Sequence, residues 1–462
     1  MRLPPRFLPS LLLSTALLIV PASADDQFKP QEFALGNGMQ VVVIPDHRAP
    51  VVTHMVWYKT GSADEPQNAG GIAHFFEHLM FRGTPKHPDG DFDALVSRNG
   101  GEHNANTSYD RTVYYQRVAK DRLDLVMGLE ADRMQNLIID DNTVPSERQV
   151  ILEERNERTD NNPESLFYEQ LFAALYLANP YQNPIIGWRS EIENLTTAEA
   201  RDFYDKHYGP NNAILVVAGD VTVDEVRTLA EKNYGPVRAR ETVARVRPVE
   251  PPPIAARRVA MKDKRVAVPT FSRLYLVPSY KSAKGSDAYA IQVLSYILGG
   301  AGDSSRLGLA LVKRDKICSS VSFFYDGDGI DDRYIGIYAL AAAGEQLGEV
   351  EKAIDAEIQK FLTEGPTPEE LARAKAVLVA NATYARDSQE GQANYFGEGL
   401  TFGLTLADLE AWPDRIDAVT LDQVKAVAAT YLKPERSVTG TLEPDGAPGD
   451  APPQGAPTGV AP

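Results

Sequence analysis

Residues 197–219, TAEARDFYDKHYGPNNAILVVAG, carry a threonine start, a helical stretch, a break at Tyr208 and Pro210, and an apolar run from Ile214 to Ala218 that ends at Gly219. Threonine ahead of a helical period is N-cap chemistry, and a short apolar run closed by glycine reads as a strand. Residues 420–440, TLDQVKAVAATYLKPERSVTG, repeat that order: Thr420, then Tyr431, then Pro434, then a strand reaching Gly440. The spacing from Thr197 to Tyr208 and from Thr420 to Tyr431 is 11 in both. The chain therefore reads as a tandem duplication, each copy closing with a capped helix and a strand.

Between the copies lies Pro248-Val249-Glu250-Pro251-Pro252-Pro253, a stiff run that continues neither a helix nor a central strand. It predicts two domains, 25–247 and 259–443, joined by a linker at 248–258. From Pro444 the chain is rich in Pro, Gly and Ala with almost no large apolar residue, which predicts a disordered tail at 444–462. At the other end Arg2 and Arg6 stand without an acid, Phe7 to Val20 is mostly apolar, and Ala22-Ser23-Ala24 offers a small-x-small cleavage site. Residues 1–24 thus read as a secretory signal peptide cleaved before Asp25. The apolar run is too short to span a bilayer and holds Pro9 and Ser10, and no later segment is apolar enough to span. The expectation is an exported, periplasmic or secreted protein without a stable membrane anchor.

The 47 Lys+Arg and 64 Asp+Glu give −17, and loss of Arg2 and Arg6 with the signal peptide leaves 45 against 64, or −19. Such acidity argues against nucleic acid, whose phosphates need basic patches. Cys318 is the only cysteine, which excludes a disulfide scaffold or a cysteine-based metal site. Met39 to Ile44 and Val51 to Tyr58 read as strands, whereas Ala119 to Ile138, Glu147 to Arg158 and Glu349 to Leu362 have helical periodicity. Strand runs joined by short polar links predict antiparallel pairing and an α+β class.

The chemistry sits in His74-Phe75-Phe76-Glu77-His78. Residues four apart share a helix face, so His74 and His78 can converge on one metal ion. Glu77 lies beside that position, where it can take a proton from water. The apolar flanks Ile72, Ala73, Phe75, Phe76, Leu79 and Met80 predict burial, and buried imidazoles and carboxylates need partners. The order H-x-x-E-H is that of the inverzincins. Zinc hydrolases usually have a third protein ligand. The helix ERQVILEERNER, residues 147–158, is the candidate source, because Glu147, Val150, Ile151 and Glu154 fall on one stripe. Acids on a buried face imply a nearby cation.

The segment GGIAHFFEHLMFRGT, residues 70–84, closely resembles the M16 family of zinc metallopeptidases, the pitrilysin, insulin-degrading and mitochondrial-processing-peptidase group. Residues 99–113, 179–187 and 208–220 match as well, and the resemblance covers nearly all of Phe33 to Glu443. It implies two homologous domains, each a mainly antiparallel sheet flanked by helices, facing each other across a chamber. It implies one Zn2+ held by His74, His78 and Glu154, the last lying 76 residues beyond His78. Glu77 becomes the general base, and Glu147 matches a further acid that supports catalysis. Asn104 and Ala105 lie on the family's substrate-binding edge strand, where a peptide adds through main-chain hydrogen bonds. His103 has no ligand role in the resemblance.

The second half departs from the first. Ala288 to Leu298, where the duplicated motif helix falls, has no His and no Glu, so no equivalent zinc is expected there. Active single-chain members usually carry an Arg and a Tyr seven apart near residues 311–321. Aligning Leu311 and Val321 places Val312 and Ser319 at those positions, and seven residues beyond Arg314 stands Val321. The resemblance to two-subunit bacterial members then implies the zinc-bearing chain of a heterodimer, its partner supplying the Arg/Tyr pair. The expected function is zinc-dependent cleavage of peptides or unfolded segments. The alternative is a non-catalytic scaffold or assembly subunit with the same fold.

Overall fold

Strand-forming residues gather into two sheets in the computed structural model of the protein, which describes residues 29–241 and 244–446. The signal peptide expected at 1–24 and the tail beyond residue 446 lie outside the described residues. The first sheet comprises β1 (Gln31–Ala34), β2 (Gln40–Pro45), β3 (Val51–Tyr58), β4 (Glu102–Thr107), β5 (Thr112–Ala119) and β6 (Ala213–Gly219), in the order β1-β2-β6-β3-β5-β4. The second comprises β7 (Arg257–Asp263), β8 (Thr270–Val277), β9 (Cys318–Asp326), β10 (Arg333–Ala341) and β11 (Ser437–Pro444), in the order β7-β11-β8-β10-β9. Without β1, the two orders are the same path drawn twice. The class is α+β with two homologous domains.

Pairing is antiparallel except at β2/β6 and β7/β11, which run parallel. The sheets are thus mainly antiparallel, as expected, and the cause of the one parallel pair in each is topological. The last strand of each repeat returns through a helix and slots in beside the first, and parallel neighbours need such a crossover. Two terminal details differ from the sequence reading. β7 begins at Arg257, within the segment assigned to the linker, and β11 extends through Pro444.

The helices of the first repeat are α1 (Ile72–Leu79), α2 (Asp91–Arg98), α3 (Leu123–Asn136), α4 (Thr143–Arg155), α5 (Pro163–Leu175), α6 (Arg189–Ile192), α7 (Thr197–His207) and α8 (Val223–Asn233). Those of the second are α9 (Asp287–Ser295), α10 (Leu347–Glu364), α11 (Pro368–Ala385), α12 (Gln389–Thr401), α13 (Leu406–Glu410), α14 (Trp412–Asp417) and α15 (Leu421–Tyr431). The equivalent helices α7 and α15 begin with the same capping box, Thr196 with Glu199 and Thr420 with Gln423. The structural register therefore pairs Thr196, not Thr197, with Thr420. The prolines Pro210 and Pro434 keep step with that register, and Gly219 and Gly440 do not. The helical period from Ala119 also starts late, since Ala119 ends β5 and α3 begins at Leu123.

Both sheets are covered on two faces, and one cover of each comes from the other repeat. Helix α5 of the first repeat packs on β7, β8 and β11, where Phe167, Leu171 and Leu175 meet Leu274, Leu276, Val438 and Leu442. Gly440 permits that approach, because a Cβ there would lie 2.4 Å from the Phe167 ring. Helix α12 of the second repeat packs on β3 and β6, with Ala393, Phe396 and Leu400 against Met55, Trp57, Ile214 and Val216. This exchange explains why every residue of β6 and of β8 is buried. The linker is pinned as well: the Glu250 carboxylate accepts the backbone N–H groups of Leu177, Ala178 and Asn179 at 2.7, 2.9 and 2.8 Å.

Beneath the first sheet a buried ion pair holds the strands to α3. Arg133 is 2% and Glu130 0% exposed, and their side chains meet at 2.6 Å. Gln116 of β5 donates to Glu130 at 3.2 Å, and the guanidinium lies over the Phe81, Phe92 and Tyr114 rings. Glu130→Ala strands a buried cation and should cost about 3–5 kcal/mol. The measurement is urea unfolding of metal-free protein at unchanged m, and a loss below about 1 kcal/mol would contradict that account.

Candidate metal and catalytic site

Helix α1 presents one apolar and one polar side. Ile72, Ala73, Phe75, Phe76 and Leu79 are buried in the first core, leaving His74, Glu77 and His78 on the side that meets α4 and β4. Helix α4 answers with Glu147 and Glu154. Glu147 and Ile151 are buried as the sequence stripe requires, but Val150 is 46% exposed. The reason is that the buried stripe of α4 runs through Val144, Glu147, Ile151 and Arg155, and α4 gives way to a π turn at Asn156–Asp160. Arg155 is held there by Glu169 at 2.9 Å and by the Gly187 carbonyl at 2.8 Å.

Three of the predicted ligands converge. Glu154 Oε2 lies 3.3 Å from His78 Nε2 and 3.7 Å from His74 Nε2, and one donor atom from each residue falls within 4.8 Å of the others. The imidazoles are 12% and 24% exposed and the Glu154 side chain 14%, so the cluster is sheltered yet reachable. Glu154 Oε2 is buried without a hydrogen-bond partner. Two donors each about 2.1 Å from a shared tetrahedral ion sit roughly 3.4 Å apart. These spacings and the orphaned oxygen fit a divalent cation held by two imidazoles and a carboxylate, a set that suits zinc. No other such group of His, Cys, Asp and Glu occurs among the described residues, and α9 of the second repeat carries none.

The groups around the three differ in charge. Burial pushes the His74 pKa down to about 4 against the pull of Glu154, so this imidazole is neutral. For His78, burial is outweighed by the hydrogen bond to Glu147 and the negative charge of Glu154 beside it, which lift it to about 9. Glu147 Oε1 meets His78 Nδ1 at 2.9 Å, and its other oxygen is held by Arg82. Although burial works the other way, those two partners keep the Glu147 carboxyl below its usual range. Glu147 therefore orients His78, turning Nε2 toward Glu154. Glu154 is held low in the same way by His78 and His74, and Arg158 pairs with its outer oxygen.

Glu77 stands beside the trio and outside it. The Thr107 hydroxyl at the end of β4 donates to its carboxylate. Burial pushes the Glu77 pKa up and that hydrogen bond draws it back. Strand β4 is the edge of the first sheet, paired only with β5. Asn104 is exposed and Ala105 part-buried, and the Ala105 N–H is taken by the Asn104 side chain at 2.9 Å. His103 turns away to Asp93 at 3.2 Å and packs on Phe81 and Phe92. Thr107, Arg82 and Arg158 went unassigned in the sequence. The i,i+4 spacings of Arg82 from His78 and of Arg158 from Glu154 were the available signals.

Known proteins resemble this chain in sequence and in fold. The profile described as "Insulinase (Peptidase family M16)" matches residues 40–188, and that described as "Peptidase M16 inactive domain" matches residues 194–378. The "Zinc protease PqqE" of Helicobacter pylori is 31% identical over 424 residues, covering 90% of this chain and 93% of its own. A probable mitochondrial-processing peptidase subunit beta of Arabidopsis thaliana is 26% identical over 86% of this chain and 75% of its own. Among solved structures, a protease from Helicobacter pylori superposes with a TM-score of 0.84 at 30% identity, over 90% of this chain and 100% of that one. The duplicated two-sheet fold is thus that of the two-domain M16-like peptidases. The chain belongs to peptidase family M16.

Proposed function

We propose that this protein is a zinc-dependent endopeptidase for peptides or unfolded segments, exported to the periplasm, and the metal-bearing subunit of a heterodimer. The observation that carries this reading is the convergence of His74, His78 and Glu154, with Glu77 beside the trio and held by Thr107. Those three residues would hold zinc, which when bound polarises a scissile carbonyl and acidifies a water molecule. Glu77 takes the proton of the attacking water and passes it to the leaving amine. Burial makes its carboxylate a stronger base than an exposed one, and Thr107 fixes which oxygen is free. A peptide adds along the open edge of β4, displacing Asn104 from the Ala105 N–H and leaving sequence preference to side-chain pockets. The peptide lies between the two facing domains.

The heterodimer rests on the second repeat. Val312 packs against the second core and Ser319 is exposed at the start of edge strand β9, so neither offers a guanidinium or a phenol. Arg314 is drawn to Asp315 and to Glu357 of α10 at 2.8 Å. No described helix is long and apolar enough to cross a membrane. The export reading rests on residues 1–24 alone.

The test is metal content and peptide digestion measured on one sample, first of the isolated chain and then with its co-purifying M16 subunit. One zinc per chain is expected, with cleavage about 10²-fold slower alone than with the partner, since misplaced substrate costs that much. Full activity alone would remove the heterodimer. A metal-loaded protein inactive with every partner would favour the scaffold reading, against which the intact His74, Glu77, His78, Glu147 and Glu154 set speaks.

A further inference from the structure

Helix α1 has only eight residues, and two of the three converging donors sit on it. A helix so short does not hold itself together in isolation. Its N-cap, Gly71, has φ 89° and no side chain to cap with. Nor can the sequence supply one there. A Cβ on Gly71 would lie 2.4 Å from the Ile186 carbonyl oxygen, and one on Gly70 would strike the Glu191 carboxylate. The first turn is satisfied from elsewhere: Glu65 Oε2 accepts the Gly71 N–H at 2.9 Å, and Oε1 accepts the Ala73 N–H at 3.0 Å.

Glu65 is itself held from below. The preceding turn, Ser62–Asp64, is locked by Asp64, which pairs with Arg247 at 3.0 Å and Arg245 at 3.2 Å. Arg247 also reaches Asp110 at 2.9 Å, and Asp110 accepts the Ile330 N–H of the second repeat at 3.1 Å. The carboxylate that caps α1 thus stands on a platform built from both repeats and the segment between them.

The two histidines differ in what orients them. His78 has Glu147 on its far nitrogen, whereas His74 Nδ1 is buried with no hydrogen-bond partner. No hydrogen bond fixes the far side of the His74 ring, so its placement leans on the backbone of α1, and the residue before it is Ala73. We infer that Glu65 is a positioning residue for the metal-binding helix, fixing the first turn of α1 and so the placement of His74, as Glu147 fixes His78. The inference rests on the zinc reading of His74, His78 and Glu154.

The test compares Glu65→Gln and Glu65→Asp with Glu191→Gln, a carboxylate packed on Gly70 that bonds no helix N–H. Gln offers one acceptor oxygen where two N–H groups converge, and Asp keeps the carboxyl group but falls one methylene short. Zinc affinity, read by competition with a chromogenic chelator, should fall about tenfold in both Glu65 variants, as for outer partners of metal ligands. Glu191→Gln should stay within about twofold of the unmodified chain on that scale. The Tm gap between zinc-loaded and metal-free protein should shrink with the affinity, whereas a purely structural cap lowers both values together. If the unmodified chain binds zinc and the Glu65 variants bind it equally well, the inference is overturned. An equal loss in Glu191→Gln also overturns it, because charge rather than the two hydrogen bonds would then be responsible. If Glu65→Gln does not fold, Glu65→Asp decides alone. A failure of the unmodified chain to bind zinc removes the metal reading first and this inference with it.

Discussion

Glu77→Gln should lower peptide cleavage by about 10²–10⁴-fold, the range that a positioned general base contributes, while zinc content stays unchanged. The substitution is nearly isosteric, and the Gln carbonyl can still accept from the Thr107 hydroxyl, so the packing between α1 and β4 survives. What it removes is the capacity to take a proton. Because Glu77 is outside the trio of converging donors, metal binding should not register the change. Metal analysis and a peptide assay on the same preparation separate the outcomes. Retained activity would mean that another group accepts the proton. Lost metal would mean that Glu77 is a ligand and the assignment of Glu154 needs revision. Thr107→Val sharpens the point: without its hydroxyl the carboxylate loses a fixed orientation but none of its basicity, since that hydrogen bond only drew the pKa down, so the loss should be smaller.

Much of this site was legible before any fold was known, and the reason is local. His74, Glu77 and His78 lie within one helical turn, where spacing alone fixes a shared face. Glu147 and Glu154 were legible for the same reason on α4, although Val150 was misplaced because a stripe drawn at 100° per residue cannot see which edge of it meets solvent. The contributions of Thr107 and Glu65 were not legible, since each acts across a strand end or a loop whose direction no periodicity encodes. The duplication was read correctly in kind and one residue out in register: neighbouring Thr196 and Thr197 both look like caps, and only the backbone shows that Thr196 accepts from Glu199. Least legible was the exchange of α5 and α12 between repeats. Their amphipathic faces announce that they pack on something, but not on which sheet.

Glu154→Gln and Glu147→Gln should separate a metal ligand from the residue that orients one. Glu154 supplies the only anionic donor of the trio, and its Oε2 is the atom nearest both imidazole Nε2 atoms. An amide there keeps the shape and loses the charge, and zinc affinity should fall by more than the roughly 10–100-fold that outer partners contribute. Glu147→Gln should fall within that range, because it touches His78 through the far nitrogen. The two also differ in protons. In the metal-free protein His78 is lifted to about 9 by Glu147 and Glu154 against its burial, while burial holds His74 near 4. A metal ion needs neutral imidazole, so at pH 7 binding expels about one proton, from His78 and not from His74. Affinity should therefore climb as pH rises toward 9 and level off above it. Glu147→Gln removes a partner that favours the charged imidazole, so its plateau should begin at lower pH and its proton release at pH 7 should shrink. Calorimetric titration with zinc in buffers of different ionisation heat reads both quantities. Equal proton release in Glu147→Gln and the unmodified chain would show that Glu147 does not govern His78, and a larger affinity loss in Glu147→Gln than in Glu154→Gln would exchange their roles.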